Sequence, residues 1–511
     1  MSGWSVDACG AVRARRMVVM GTRSVQTGDG AWPLGERLGW AGRFGRLIAE
    51  RERDLCELIT GEVHKTRWEC LTADIVPLVN ACRWHRRHGA RVLGGRRVGT
   101  GGLLSLGQRH RVLREPLGRV GIIATWNYPA LLAGQHVLQA LVAGNRVVLK
   151  PSERSPRTQR MLAELAWQAG CPRGRLEVVD AHRAAGSTLV AGGYGPIDHL
   201  VFTGSTEVGR SIAAELAPRL ITSTLELSGR DSALVLEDAD PALAARTIWW
   251  AATVNAGQTC MAPRRALVHT AVYERFLEAL APLASRAGPR RLIDADGAAA
   301  VSGQVSDALA RGGRSLSGVF EPAGGDSFRP VAVVDCPANA PLVEGRHFGP
   351  ALAVIPCASL EDMLAIHDRT DQRLVTTVFT RDTRRGADLV GRLGSTGVMF
   401  NDAIMPTAHP AVSVGGLGAS GWGLTQGCRG LETLTREVFV SRTSARIRPP
   451  LDTPDISKME RSASNLLRLA GAGRRRGRAG RADAPADGGP GPGASPASRT
   501  DPAQWAGGFA R

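Results

Sequence analysis

The chain has 511 residues and a formal net charge of +17, with 43% hydrophobic and 22% charged residues. A chain of this length exceeds what one hydrophobic core supports, so we expect at least two folded domains. The basic excess could favour nucleic acid or another anionic surface. No zinc-ligand spacing, helix-turn-helix pattern or basic run interleaved with aromatic residues accompanies it, so no specific nucleic-acid partner is expected.

The number and spacing of the cysteines, together with the hydropathy of the chain, predict the cellular compartment of the protein. The nine cysteines are odd in number and scattered, and none forms a C-x-x-C pair. This pattern argues against a disulfide framework and against a metal site, and is typical of a reducing cytoplasm. The apolar run at 17–20 is too short for a signal peptide, and no stretch reaches the length of a membrane span. We therefore expect a cytoplasmic protein without a membrane span.

The two ends of the chain differ from its centre. Residues 1–30 show no periodicity and are predicted to be a loose extension. From 34 to 91 apolar residues recur at three- and four-residue steps, which predicts two or three amphipathic helices. Two short strands are expected between 91 and 113. The basic tail, 446–511, is rich in Arg, Gly, Ala and Pro and is predicted to be disordered.

From Pro116 onward, strands and helices alternate. Apolar runs predict strands at 118–124, 146–149, 199–202 and 222–227, separated by predicted helices at 131–142, 157–169 and 207–216. Continuous apolar strands alternating with helices indicate an α/β fold with parallel sheets covered on both faces. Further strands are predicted at 232–236, 265–269, 331–334, 352–355 and 398–401. Ligands of such sheets bind beyond the carboxyl ends of the strands.

Polar side chains follow the predicted strands at 118–124 and 146–149. Asn127 comes after the strand at 121–124, where a carboxamide can donate to a developing oxyanion, although a turn residue is the alternative. Lys150 is one of only three lysines in a chain that otherwise uses arginine. It and Glu153 could hold ribose hydroxyls, and the alternative is a solvated surface pair.

The next two strands end in a phosphate-type turn and an acid. Gly204 and Ser205 open a helix, where free N–H groups can face a phosphate or Ser205 can simply cap the helix. Glu226 lies among leucines in an apolar strand. We expect desolvation to raise its pKa toward that of a useful base, unless it pairs with an arginine.

Cys260 follows the small-residue stretch Asn255–Thr259. A cysteine after such a turn can lie open to a substrate and close to backbone N–H donors, as a nucleophilic thiolate requires. The alternative is a small buried hydrophobic residue.

Taken together in their order and spacing, these motifs resemble the aldehyde dehydrogenase superfamily of the NAD(P)-dependent, hydrolytic type. The matching runs are Trp126–Pro129, Lys150–Glu153, Phe202–Thr206, Glu226–Gly229, Asn255–Cys260 and Phe348–Pro350. The resemblance implies a Rossmann-like dinucleotide-binding domain, an α/β catalytic domain and a small β oligomerisation arm. The implied bounds are 31–93 with 118–228, then 229–415, and 94–117 with 432–445 for an arm that would join a homodimer or homotetramer.

The resemblance also implies a reaction. Cys260 would attack an aldehyde, with the oxyanion held by Asn127 and by the Cys260 N–H. Hydride would pass to NAD(P), and Glu226 would activate the water that hydrolyses the thioester to a carboxylate.

The same resemblance assigns the cofactor contacts. Lys150 and Glu153 would hold the adenosine ribose, and Gly204 and Ser205 would lie near the pyrophosphate. Because the Glu153 carboxylate should repel a 2′-phosphate, NAD is expected over NADP. The two aromatic residues would shape the cleft: Trp126 beside the nucleotide, and Phe348 near the nicotinamide.

One departure from the family pattern concerns the nicotinamide ribose. The family usually reads E-E-I-F-G-P where this chain has 345–350, so Arg346 replaces the acid that grips that ribose. Glu344 lies two positions earlier and would project to the same side of a strand. The alternative function is therefore a degenerate family member that binds nucleotide or a partner with little dehydrogenase activity.

Overall fold

The computed structural model describes residues 32–99, 107–443 and 456–472. A π-helical turn at Cys70–Ile75 joins the third and fourth helices. In chain order the α-helices are α1 Leu34–Glu50, α2 Glu52–Val63, α3 Arg67–Glu69, α4 Val76–Leu93, α5 Leu131–Ala143, α6 Pro156–Gln168, α7 Arg183–Ala191, α8 Thr206–Leu216, α9 Pro241–Thr253, α10 Thr270–Ser285, α11 Ala295–Ala310, α12 Pro341–Glu344, α13 Leu360–His367, α14 Thr383–Leu393, α15 Gly427–Thr433 and α16 Ile456–Ala472.

The strands complete the α/β alternation. In chain order they are β1 Arg96–Val98, β2 Gln108–Pro116, β3 Arg119–Ile123, β4 Arg146–Lys150, β5 Leu176–Val178, β6 His199–Gly204, β7 Thr222–Leu227, β8 Asp231–Val235, β9 Pro263–His269, β10 Arg290–Arg291, β11 Arg314–Ser315, β12 Ser327–Phe328, β13 Val331–Val334, β14 Ala351–Cys357, β15 Gln372–Arg373, β16 Val375–Phe379, β17 Gly397–Phe400, β18 Leu417–Gly418, β19 Gly421–Trp422 and β20 Thr435–Thr443.

A six-stranded sheet has the order β19-β7-β6-β3-β4-β5. Its neighbours are parallel except for β19, which pairs antiparallel with β7. Successive residues point to opposite faces: Ile122 and Leu149 join the core under α1, α4, α5 and α6, while Ile123 and Val148 join the core under α7 and α8. Both faces are covered, which is why these strands read as unbroken apolar runs.

The connection reverses direction at β3. The chain runs from β3 through α5 to β4 and through α6 to β5, whereas β6 and β7 lie on the other side of β3. The carboxyl ends of β3 and β6 therefore lie at the switch point of the sheet, where open α/β sheets bind their ligands. The predicted α/β fold with parallel sheets is confirmed.

A second sheet has seven strands in the order β11-β13-β14-β9-β8-β16-β17. All neighbours are parallel except β11 and β13. Leu234 packs on the face under α11, α13 and α14, and Val235 on the face under α9 and α10. Strand β9 of this sheet begins three residues after Cys260, so the segment that carries Cys260 leads into a buried strand.

The described residues fall into two compact units, one drawn from 1–94 and 115–436 and the other from 95–114 and 437–511. In the second unit β1 pairs antiparallel with β2, and β20 completes a three-stranded sheet. Arg114 pairs with Glu437 at 2.9 Å across this sheet. The domain bounds at 228–229, and the use of the sheet in oligomers, stay predictions.

The prediction that 446–511 is disordered is wrong for 456–472, which form α16. The prediction used the composition of the whole tail, whereas residues 456–470 contain no Pro or Gly and can therefore form a helix. The rest of that tail, like the predicted extension at 1–30, lies outside the described residues. Among the described helices, none combines the length and apolar character that crossing a bilayer requires.

A buried ion pair fixes the segment that follows β3. Lys65 Nζ lies 2.5 Å from Asp74 Oδ2, and both side chains are fully buried. Asp74 Oδ1 accepts the N–H groups of Ala130 and Leu131 at 3.0 and 2.9 Å, at the start of α5. The Lys65 ammonium also lies 3.7 Å from the ring centre of Tyr128. The pair thus anchors the turn between β3 and α5.

Replacing Asp74 by Asn should lower the free energy of unfolding by about 3–5 kcal/mol, because Lys65 would remain buried without its counter-ion. Urea denaturation followed by circular dichroism measures the loss. The matched control is Asp54→Asn, which breaks the half-exposed Arg51–Asp54 pair and should cost about 1 kcal/mol or less. Equal losses in the two variants would contradict this account.

Candidate active site

A cavity of about 300 Å³ opens at the carboxyl ends of β3 and β6. Seven of the nine residues predicted for the site line it together, and Lys150 and Glu153 do not. The seven are Trp126, Asn127, Gly204, Ser205, Glu226, Cys260 and Phe348. The cavity thus brings the three predicted catalytic residues together at the switch point of the six-stranded sheet.

The turn before the nucleophile has an unusual backbone. Asn255, Ala256 and Gly257 all have positive φ, at 54°, 53° and 68°. For the two non-glycine residues this costs about 1–2 kcal/mol each. The N–H of Asn255 donates to Glu69 Oε1 at 2.9 Å, and a Cβ on Gly257 would lie 2.4 Å from the carbonyl carbon of Gly349. Tight surroundings therefore hold a turn that its own residues disfavour.

A buried arginine on β9 holds the same turn from the other side. Arg264 donates to the carbonyl oxygens of Gly257, Thr259 and Gly349 at 2.8, 2.9 and 3.0 Å. These bonds tie the nucleophile turn to the segment that carries Phe348. The sequence offered no signal for this role, since Arg264 is one arginine among many.

The Cys260 thiol is protonated at neutral pH. Burial, together with the charges of Glu226 and Asp231, raises the pKa of Cys260 to about 12. It is nevertheless the only cysteine in the described part of the chain that is not fully buried. The thiol is therefore accessible and uncharged, and a base would have to accept its proton before it could act as a nucleophile.

Asn127 is fixed beside the nucleophile. Its Nδ2 donates to the carbonyl of Gln258 at 3.1 Å, and its Oδ1 accepts from the Thr125 hydroxyl at 3.3 Å. Asn255 Nδ2 donates to the Asn127 carbonyl at 2.9 Å. An amide nitrogen carries two hydrogens, so Asn127 retains one for a substrate oxygen.

Both oxygens of Glu226 have partners. Thr425 donates to Oε1, Thr203 donates to Oε2 at 3.1 Å, and His136 Nε2 lies 3.3 Å from Oε2. Burial alone would raise the pKa of Glu226, but the charge of His136 and the bonds from these three residues outweigh it and lower the pKa. The prediction of a raised pKa is therefore wrong, because Glu226 has charge partners that its own strand does not show.

His136, Thr203 and Thr425 are the residues around Glu226 that sequence reasoning missed. His136 lies buried in α5, which was predicted only as an apolar helix. A single histidine inside such a helix, nine positions after Asn127, was the available signal. Thr425 approaches through a chain separation of 199 residues and gave none.

The residues predicted to hold a dinucleotide lie at the start of a helix and at the end of a strand. Ser205 caps α8 by accepting from the N–H of Val208 at 3.3 Å, and it also lines the cavity, so the positive end of the helix lies at the cavity wall. At the end of β4, buried Lys150 donates to half-exposed Glu153 at 2.9 Å. A helix start for a diphosphate and a Lys–Glu pair for ribose hydroxyls fit a nicotinamide dinucleotide.

The segment before Phe348 differs from expectation. Residues 341–344 form α12 rather than a strand, and Glu344 pairs with Arg369 at 3.3 Å. Glu344 therefore does not take the place of the missing ribose-binding acid. Arg346 forms an ion pair with Glu207 in the first turn of α8 and does not line the cavity.

The two predicted aromatic residues meet in the cavity wall. The ring centres of Trp126 and Phe348 lie 5.8 Å apart in an edge-on arrangement. Such a contact fixes both rings and gives the cavity a rigid apolar side.

Comparison with known proteins identifies the family. A model of the aldehyde dehydrogenase family matches residues 5–440. A succinate-semialdehyde dehydrogenase of Escherichia coli, named as using NADP(+), is 32% identical over 401 residues, 76% of this chain and 81% of that protein. A 4,4′-diapolycopene aldehyde oxidase of Methylomonas is 28% identical over 412 residues, 78% of this chain and 76% of that protein.

A solved structure gives the same result. The Mycobacterium tuberculosis aldehyde dehydrogenase complexed with NAD+ superposes with a TM-score of 0.75 at 28% identity, covering 81% of this chain and 87% of that one. The chain therefore belongs to the aldehyde dehydrogenase family and is an enzyme that oxidises aldehydes with a nicotinamide dinucleotide. The predicted resemblance is confirmed, and the alternative of a degenerate member is not favoured.

The protonated state of Cys260 predicts its alkylation kinetics. With a pKa of about 12, its reaction with iodoacetamide should speed up about tenfold per pH unit from about pH 7 to about pH 10 without a plateau. Mass spectrometry of the Cys260 peptide measures the rate. Glu226→Gln should react faster at each pH, because the Glu226 charge raises the pKa of the thiol.

The exposed Glu164→Gln serves as the control and should react like the wild type. A plateau at or below about pH 9, as for a free thiol, would refute this description of the thiol.

Proposed function

We propose that the enzyme converts an aldehyde to a carboxylic acid by covalent catalysis, with Cys260 as nucleophile, Asn127 as oxyanion donor and Glu226 as base. The observation that carries this proposal is that these three side chains line one cavity at the switch point of the sheet. A thiol, a base and an oxyanion donor in one place are the parts that acyl chemistry needs.

In the first half of the reaction, Cys260 becomes a thiolate only as it attacks. The Glu226 carboxylate accepts the thiol proton, the sulfur bonds to the aldehyde carbon, and the carbonyl oxygen becomes an oxyanion. Asn127 Nδ2 and the Cys260 N–H donate to that oxygen. A bound nicotinamide dinucleotide would supply the acceptor for the hydride of this carbon, and a thioester would then remain on Cys260.

In the second half, water hydrolyses the thioester. Glu226 first releases the thiol proton to solvent, and it then takes a proton from the water as the water oxygen bonds to the thioester carbon. The sulfur leaves as the carboxylic acid forms, and Glu226 returns this proton to it, which restores the Cys260 thiol. The hydroxyls of Thr203 and Thr425 keep the carboxylate of Glu226 in place. His136, at 3.3 Å, stabilises the charged form of the base between turnovers.

We propose NAD as the preferred cofactor. Burial would raise the pKa of Glu153, but its bond with Lys150 outweighs this and lowers the pKa, so Glu153 is charged at neutral pH. The cation at this position is thus already paired, and a 2′-phosphate would meet a carboxylate. The relatives do not decide the point, since one is named for NADP(+) and another structure holds NAD+.

We also propose that the sheet of β1, β2 and β20 joins copies of the chain into dimers or tetramers. Val98, Phe439 and Val440 expose large apolar side chains on this thin sheet, which favours a partner surface. The cytoplasmic location remains a proposal that rests on the odd, scattered cysteines.

Purified enzyme with a panel of aldehydes should produce reduced cofactor, measured by absorbance, with NAD favoured over NADP. Cys260→Ser should fall below detection, because no thioester can form. Glu226→Gln should lose about 10²–10⁴-fold in kcat, the usual contribution of a general base. Glu164→Gln is the matched acid outside the cavity and should keep its rate. Turnover that survives in Cys260→Ser would refute the mechanism.

The His136 contact predicts a pH profile. Because the charge of His136 lowers the pKa of Glu226, His136→Gln should raise that pKa. The base is inactive when protonated, so the acidic limb of kcat should move to higher pH, and activity near pH 6 should fall more than activity near pH 8. His136→Lys keeps a cation and should keep the limb near its wild-type position. An unchanged limb in His136→Gln would exclude this role.

A further inference from the structure

The cavity wall carries a single kind of charge. Among the described residues that line it, Glu226 is the only charged one, and it is an acid. The other lining residues include Leu132, Met261, Leu374 and Val414. Cys260 itself packs against the small apolar cluster that contains Leu374. A substrate tail that enters this space therefore meets hydrocarbon, uncharged polar groups and one carboxylate, but no cation.

Two cations near the site, Arg264 and His136, are occupied by other groups of the protein. Arg264 uses its guanidinium on three backbone carbonyls and packs behind Phe348, 5.6 Å from the ring centre. His136 directs Nε2 at Glu226 at 3.3 Å. The charge of His136 acts on that carboxylate, so His136 adds no net positive charge to the cavity.

Two further cations near the site are each paired with an acidic side chain. Lys65 is buried against Asp74 at 2.5 Å, behind the turn that carries Asn127. Arg346 is paired with Glu207 at the start of α8. No lining cation in the described part of the chain is left to receive a carboxylate on the substrate.

We propose that the substrate is an uncharged aldehyde with an apolar aliphatic or aromatic substituent, and that aldehydes carrying a second, ionised carboxylate are discriminated against. This inference rests on the proposed role of the cavity around Cys260. An anionic tail would lose its water without gaining a counter-ion, which is costly in an apolar enclosure. Succinate semialdehyde, which the name of the Escherichia coli relative gives as its substrate, is therefore not the substrate that we propose for this enzyme.

A matched pair of substrates isolates the charge. 4-Oxobutanoate and 4-methylpentanal have similar shapes, with a carboxylate in one where the other has an isopropyl group. The value of kcat/KM should be at least about tenfold higher for 4-methylpentanal, because only the carboxylate is left unpaired. Equal values, or a preference for 4-oxobutanoate, would overturn the proposal.

A charge placed in the wall should reverse this preference. Leu132 lines the cavity from the first turn of α5, where the helix accepts a long side chain. Relative to Leu132→Met, Leu132→Arg should shift the ratio of kcat/KM toward 4-oxobutanoate by about tenfold or more. An unchanged ratio in a folded Leu132→Arg enzyme would show that charge in the wall does not select the substrate.

An alkylation assay decides the inference without turnover. Iodoacetamide and iodoacetate differ by one negative charge, and their rates at Cys260 are measured by mass spectrometry of the Cys260 peptide. The ratio of the neutral to the charged reagent should exceed the ratio for N-acetylcysteine by about tenfold. If no aldehyde is oxidised, the proposed function fails, but this ratio still tests the cavity. A ratio equal to that of the free thiol refutes the inference.

Discussion

Arg264 keeps the nucleophile turn in a conformation that its own sequence disfavours. Two non-glycine residues, Asn255 and Ala256, adopt left-handed backbone, and a small set of buried contacts compensates them. The same guanidinium binds the carbonyl of Gly349, so it couples the position of Cys260 to the segment that carries Phe348. Packing and hydrogen bonding elsewhere in the fold therefore set where the sulfur lies, and the catalytic geometry is a property of the whole unit.

The balance of nearby charges determines the protonation states of the proposed catalytic groups before substrate binds. The thiol is neutral because burial and two carboxylates disfavour its anion, whereas Glu226 is ionised because His136 and two threonine hydroxyls stabilise its anion. A proton transfer between Cys260 and Glu226 is thus uphill at rest. In the proposed mechanism the bound aldehyde is the electrophile that makes this transfer productive, and the free enzyme holds Cys260 as a thiol.

The strands, and the meeting of seven of the nine candidate site residues in one cavity, could be predicted from sequence because each depends on local pattern. Buried parallel strands are continuous apolar runs, and chemistry-bearing residues follow their carboxyl ends. The direction of the Glu226 pKa could not be predicted, since it depends on His136 and on Thr425, which lies 199 residues away in the chain. The helix at 456–472 was missed because composition averaged over a long tail conceals a short run of helix formers. Contacts between residues far apart in the chain, and short segments that differ in composition from their surroundings, cannot be predicted from local sequence pattern.

The contact between Glu69 and Asn255 joins α3 to the turn before Cys260. Together with the Lys65–Asp74 pair, it means that helices preceding all the recognisable motifs complete the site. A shortened chain that began at β3 would contain every residue that carries the family resemblance and would still lack the contacts that set the turn. Counting motifs would therefore overrate such a fragment, because the helices before the first motif supply contacts that hold the turn before Cys260 and the turn after β3.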